Sequence, residues 1–125
     1  MPKVKQLNAV NKGKVKTVNR LCSALAGAKI NINGMMVTNE VIRFLVDDLE
    51  KASEVLDGIG VHNAVEEVLA VELDHRPGAM QEVVEKLAKR GVNIRYAYGA
   101  GSPGSEKAIF VLSVTDMTEA QEALR

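Results

Sequence analysis

Three ionisable residues in a row, Asp74, His75 and Arg76, stand directly before Pro77 and Gly78. A carboxylate, an imidazole and a guanidinium side by side could serve general acid–base chemistry. No nucleophile accompanies them. Ser23, Ser53, Ser102, Ser105 and Ser113 carry no recognisable elbow, and Cys22 falls on the apolar face of a helical pattern. Holding a ligand fits the stretch better than cutting one. Pro77 has a fixed φ that suits the first turn of a helix, and Gly78, without a side chain, lets a backbone or ligand approach closely. Met80, Val83, Val84 and Leu87 then recur at i, i+3, i+4 and i+7. A helix starting here presents unpaired N–H groups and the positive end of its dipole, which receive a carboxylate. Asp74 can accept from an ammonium, and Asn93, one strand further on, offers both donor and acceptor. Together these groups suit a free α-amino acid. A Pro-Gly helix start is also common as plain structure, so the pattern allows a ligand without requiring one.

The other candidates point away from chemistry. The stretch GAGSPG, Gly99 to Gly104, matches G-x-G-x-x-G literally. The dinucleotide mechanism needs a helix after the glycines, whereas Ile109, Phe110, Val111 and Val114 spell a strand. A long hairpin is expected there. His62 has no acid or cysteine at metal spacing and reads as a surface residue. Glu66 and Glu67 are adjacent on a strand and point to opposite faces, so they form no carboxylate pair. No metal site, cofactor or catalytic residue is expected, and the chain reads as non-enzymatic.

Composition narrows the classes further. Lys and Arg number 16 and Asp and Glu 16, so net charge gives no case for a membrane or nucleic-acid partner. The seven basic residues up to Asn39, with no acid among them, allow a polyanion footprint but read better as a solvated face, since no aromatic is interleaved. Cys22 is the lone cysteine, which excludes an intramolecular disulfide. With no long apolar run and no signal-peptide pattern, a cytoplasmic setting is expected.

The elements that must position the Asp74 loop come from an internal repeat. Val18, Leu21, Cys22, Leu25 and Asn31 match Met80, Val83, Val84, Leu87 and Asn93 at a shift of 62. Val46 to Leu56 then matches Val114 to Leu124 at a shift of 68. Each copy predicts a strand (Gln6–Val10; Leu69–Leu73), a long helix, two strands (Ile30–Val37 and Val41–Val46; Val92–Tyr98 and Ala108–Val114) and a second helix capped by Asp48 or Asp116. The first copy adds a fourth strand after GIGVHN. The order is βαββαβ, an α+β ferredoxin-like arrangement of antiparallel sheet with helices on one face. Expected domains are residues 1–67 and 68–125. The second copy lacks its last strand. Either the chain is shortened there or another strand fills the position, one from a partner chain included. An unpaired edge is an aggregation hazard, so self-association is expected.

The stretch DHRPGAMQEVVEKLAKRGVNI resembles the signature of the ACT domain, a small regulatory module that binds amino acids. The whole chain is similar to stand-alone tandem ACT proteins. The resemblance implies a ligand held where two ACT domains meet. Asp74, His75, Arg76, Pro77, Gly78, Ala79 and Met80 would form the loop wall, and Asn93 and Ile94 would face it. His75 falls where serine-sensing members use Asn. In the first copy Lys12 to Val18 replaces the loop: Val15 and Lys16 stand for Pro-Gly, Lys12 for the acid, and only Asn31 remains as a weaker counterpart. That module is either a packing partner with a degenerate site or a site for something more anionic. The implied partners are a free amino acid, a second copy in a homodimer or larger homo-oligomer, and a regulated enzyme. The alternative is an oligomerisation or protein-interaction module with vestigial sites.

Overall fold

The computed structural model describes residues 3–125. Its elements are β1 (Lys3–Val10), α1 (Val15–Gly27), β2 (Ile32–Val37), β3 (Val41–Val46), α2 (Leu49–Gly58), β4 (Asn63–Asp74), α3 (Ala79–Lys89), β5 (Ile94–Gly101), β6 (Lys107–Val114) and α4 (Met117–Ala123). The fold is α+β with the βαββαβ pattern repeated, as expected. The chain groups into two compact units: Lys5–Glu66, and Glu67–Arg125 together with Lys3 and Val4.

In the first unit β2, β3 and β1 are neighbours in that order, with Met35 and Leu7 both opposite Phe44. The segment entering β4 lies beside β1, where the Val10 N–H donates to the His62 carbonyl at 2.9 Å. Alternation along the strands turns Leu7, Ile42 and Phe44 toward the helices, and Leu21, Leu25 and Leu56 close the core over them. The second unit orders β5, β6 and β4, with Val71 opposite Phe110 and Leu69 opposite Leu112. Its core joins Leu69, Val71 and Leu112 to Val83, Leu87 and Leu124. Both predicted caps form. Asp48 accepts from the Lys51 N–H at 3.1 Å, and Asp116 from the Glu119 N–H at 3.0 Å.

One feature differs from the sequence expectation, and a second bears on an alternative left open there. The last strand of the first copy and the first strand of the second are one element, the 12-residue β4. Nothing between Asn63 and Asp74 breaks an extended run, as it contains no Gly or Pro. The sheet position for which the second copy has no strand of its own, expected to be lost or filled by another strand, has Lys3 and Val4 grouped with it, on the side of β4 away from β6. There the Lys3 ammonium meets the Glu67 carboxylate at 3.3 Å. The hairpin after β5 is as expected: GAGSPG leads into β6, not into a helix.

Candidate ligand site

β4 ends at Asp74, directly opposite Lys107 on β6. This register lets the Lys107 Nζ donate to Asp74 Oδ1 at 2.6 Å. The Lys107 ammonium, by hydrogen bond first and by charge second, holds the Asp74 carboxyl below its usual range, with a smaller push from Arg76. Asp74 in turn raises Lys107. Both groups are charged at neutral pH and meet in water.

The loop then turns tightly. The Arg76 N–H donates to the Asp74 carbonyl at 2.9 Å, and the Ala79 N–H to the Arg76 carbonyl at 3.3 Å. The His75 N–H reaches across to the Glu106 carbonyl at 2.8 Å. Gly78, at φ 87, is the N-cap of α3 in the left-handed region, and no side chain caps the helix. Its place is therefore conformational. A Cβ there would meet no atom closer than Arg76 Nη1 at 3.9 Å, and Gly78 does not border the cavity described next. The Arg76 guanidinium lies along the helix start, donating to both carboxylate oxygens of Glu82 at 3.1 Å each and to the Pro77 carbonyl at 3.3 Å.

These residues bound a cavity of about 360 Å³ within the second unit. Asp74, His75, Arg76 and Pro77 form the loop side, and Ala79 and Met80 the helix side. Leu73, Gly101, Ala108 and Phe110 complete it from the strands. These four were not singled out from sequence. Gly101 carried a usable signal. It alternates with Gly99, so both stand on one face of β5. A Cβ at Gly101 would overlap the His75 ring, and one at Gly99 would overlap the Phe110 backbone. Gly99 and Gly101 thus allow close approach of backbone and side chain, and the run leads into β6 rather than a helix.

Six of the nine residues expected at the site therefore line one cavity. Asn93 and Ile94 stand elsewhere. Gly101 pairs with Ala108 beside the loop, whereas Ile94 pairs with Val114 at the other end of β5. There the Asn93 N–H donates to Thr115 Oγ1 and its carbonyl accepts from the Thr115 N–H, both at 3.0 Å. Ile94 packs against the core. Asn31 repeats this bracing: its N–H donates to Asp47 Oδ1 at 3.1 Å, and its Nδ2 to Asn33 Oδ1 at 2.7 Å. Within one unit, Asn93 does not face the loop. Eleven-residue α3 climbs about 16 Å before β5 begins, so the chain re-enters the sheet at its far end.

The first unit has a cavity of about 370 Å³ at the matching place, bordered by Asn11, Lys14, Val15, Val18, Val37 and Thr38 among others. Lys14 is the N-cap of α1 and makes no side-chain cap bond, and the first turn carries no acid. Asn11 ties this loop to β2–β3 by donating to the Thr38 carbonyl at 2.6 Å.

Among the described residues no helix is long and apolar enough to cross a membrane. A family model described as an ACT domain pair matches residues 2–124. A solved structure of a protein from Bacteroides thetaiotaomicron superposes with a TM-score of 0.91 at 24% identity, over 98% of this chain and 86% of that one. The ligand-free regulatory subunit of aspartate kinase from Thermus thermophilus superposes at 0.69 and 19% identity, over 100% of this chain and 94% of that one. The corresponding subunit from Thermus flavus gives 0.65 and 16%, over 99% and 96%. At these identities the likeness is one of fold. No curated protein sequence matches the chain significantly.

Proposed function

The chain belongs to the family of ACT domain pairs, and on that premise we propose that it is a non-catalytic regulatory protein that binds a free α-amino acid at the loop of its second unit. The observation that carries this reading is the cavity bounded by Asp74 to Pro77 and by the start of α3, a helix with no side-chain cap. The N–H groups of Met80 and Gln81 lie in the first turn, where no helical acceptor reaches them, at the positive dipole end. They receive the ligand carboxylate. Asp74 receives the ammonium with the oxygen that Lys107 leaves open. Asn93 and Ile94 enter from another ACT domain, because in their own unit they stand at the far end of β5. A second copy of the chain, in a homodimer or larger homo-oligomer, supplies them, and Asn31 is the weaker counterpart in the first unit. Binding orders the loop and biases assembly, either of the chain with itself or with an enzyme it regulates. An effector acts only through its differential affinity for two such states.

A thermal-shift screen of the full chain against the twenty amino acids tests this. At a hundred times its Kd, the right one stabilises by about 2.7 kcal/mol, which is roughly a 10 °C rise for a chain of this size. Asp74→Asn is expected to remove most of that rise. A flat response to all twenty sinks the proposal. A second reading has its own observation: Asp74 and Arg76 are already paired to Lys107 and Glu82, so the loop's charges hold the loop. On that reading the fold serves oligomerisation or protein interaction with vestigial sites, and the flat response is its outcome.

A further inference from the structure

We infer that the amino acid taken by the second unit's cavity has an uncharged, apolar side chain at least as large as that of valine. The inference rests on the amino-acid reading above. Away from the loop backbone, the cavity is walled by Leu73, Ala108 and Phe110 from the strands, Ala79 and Met80 from α3, and Pro77. None of these side chains offers a strong hydrogen bond to a neutral polar group or a charge to an ionic one, so the His75 ring is the wall's one polar side chain besides the paired Asp74 and Arg76. The charges at the rim are matched within the protein, Asp74 with Lys107 and Arg76 with Glu82. A ligand side chain bearing a charge would lose water and meet no free opposite charge, or would break one of these pairs. A ligand with a very small side chain would leave the apolar wall facing water.

Size points the same way. At about 360 Å³ the cavity lies at the lower end of ligand pockets, which run from about 300 to 1,000 Å³. That suits a single amino acid with a filled side-chain compartment. The His75 ring belongs to the wall and lies against Gly101, where any Cβ would overlap it. The absence of a side chain at Gly101 is what gives the ring its place.

Titration calorimetry on the full chain tests the inference, with Leu, Ile, Met and Phe set against Ala, Ser, Lys and Asp. The tightest ligand is expected among the first four. Each methylene that meets an apolar wall discriminates by about tenfold or more, so Leu should bind at least about tenfold more tightly than Ala. Met80→Asp, placing a charge in the wall, should cut Leu affinity by about tenfold or more, while Met80→Leu should hold it within about threefold. Circular dichroism melts check that each variant is folded, and Met80→Gln replaces Met80→Asp if the latter is not. A preference for Lys, Asp, Ser or Ala overturns the inference and leaves the amino-acid reading standing. So does a folded Met80→Asp or Met80→Gln that binds Leu as well as the parent. Binding by none of the twenty amino acids fails the amino-acid reading itself.

Discussion

The two units share one plan and part company where the first helix begins. In the second unit Asp74 is clasped by Lys107, Arg76 lies on Glu82, and Gly78 turns the chain into α3. In the first, Lys12, Lys14 and Lys16 stand at the positions of Asp74, Arg76 and Gly78, and Arg20 replaces Glu82. Arg20 donates instead to the Ile59 carbonyl at 2.7 Å. Lys14 caps its helix in extended conformation with no side-chain bond. Yet both units bury a comparable aliphatic core, with Phe44 and Leu112, related by the repeat, each fully buried. The fold thus needs neither the charge pairs nor Pro-Gly. Their presence in the second unit's loop is the difference on which the proposed amino-acid site and its alternative turn.

The sharpest way to break this comparison is at the helix start. Gly78 is left-handed, so Gly78→Ala should cost about 1–2 kcal/mol. Lys16, its partner by sequence shift, is an ordinary residue of α1, and Lys16→Ala should stay within about 0.5 kcal/mol. Urea unfolding measures both. Equal costs would mean that the two loops turn into their helices in the same way.

The helix ends supply a second, smaller test. Lys29, at φ 60, and Gly91, at φ 69, occupy the same left-handed turn after α1 and α3. The bonds match as well: the Ile30 N–H donates to the Leu25 carbonyl at 2.9 Å, and the Val92 N–H to the Leu87 carbonyl at 3.0 Å. Glycine suits this place and lysine does not. Lys29→Gly should therefore stabilise the chain by about 1 kcal/mol, and Gly91→Ala should destabilise it by about as much. A loss of stability in Lys29→Gly would contradict the shared turn.

The smallest effect belongs to the Asp74–Lys107 pair, which lies in solvent. Its carboxyl is depressed, so its contribution is present above the ordinary carboxylate value of 3.8 and is lost as pH falls through the lowered one. Lys107 is raised, so its share is present below its ordinary value of 10.5 and is lost as pH rises past the raised one. Stability curves of the parent and Asp74→Asn, followed by thermal melts, should run parallel near neutral pH and converge in acid and again in strong alkali. A gap that changes between about pH 6 and pH 8 would implicate another titrating group, as only histidine ordinarily titrates there.

Much of this molecule is readable from local order. The apolar spacing of Val18 to Leu25 and Met80 to Leu87, and the aspartates before α2 and α4, depend on contacts within a turn or two of helix. Their physics is complete in the sequence, and so is the loop that gathers Asp74, His75, Arg76 and Pro77 ahead of α3. Other features depend on where distant segments arrive. Asn93 follows the loop closely along the chain, but α3 carries it to the opposite end of β5. The closeness of Gly101 to His75 spans a helix and a strand, and only the register of β5 on β6 and β6 on β4 brings them together. The single long β4 and the placement of Lys3 and Val4 with the second unit likewise follow from pairing between strands. Propensity ends where those non-local hydrogen bonds and packed faces begin, and the walls of the cavity, though not its loop, lie on the far side of that line.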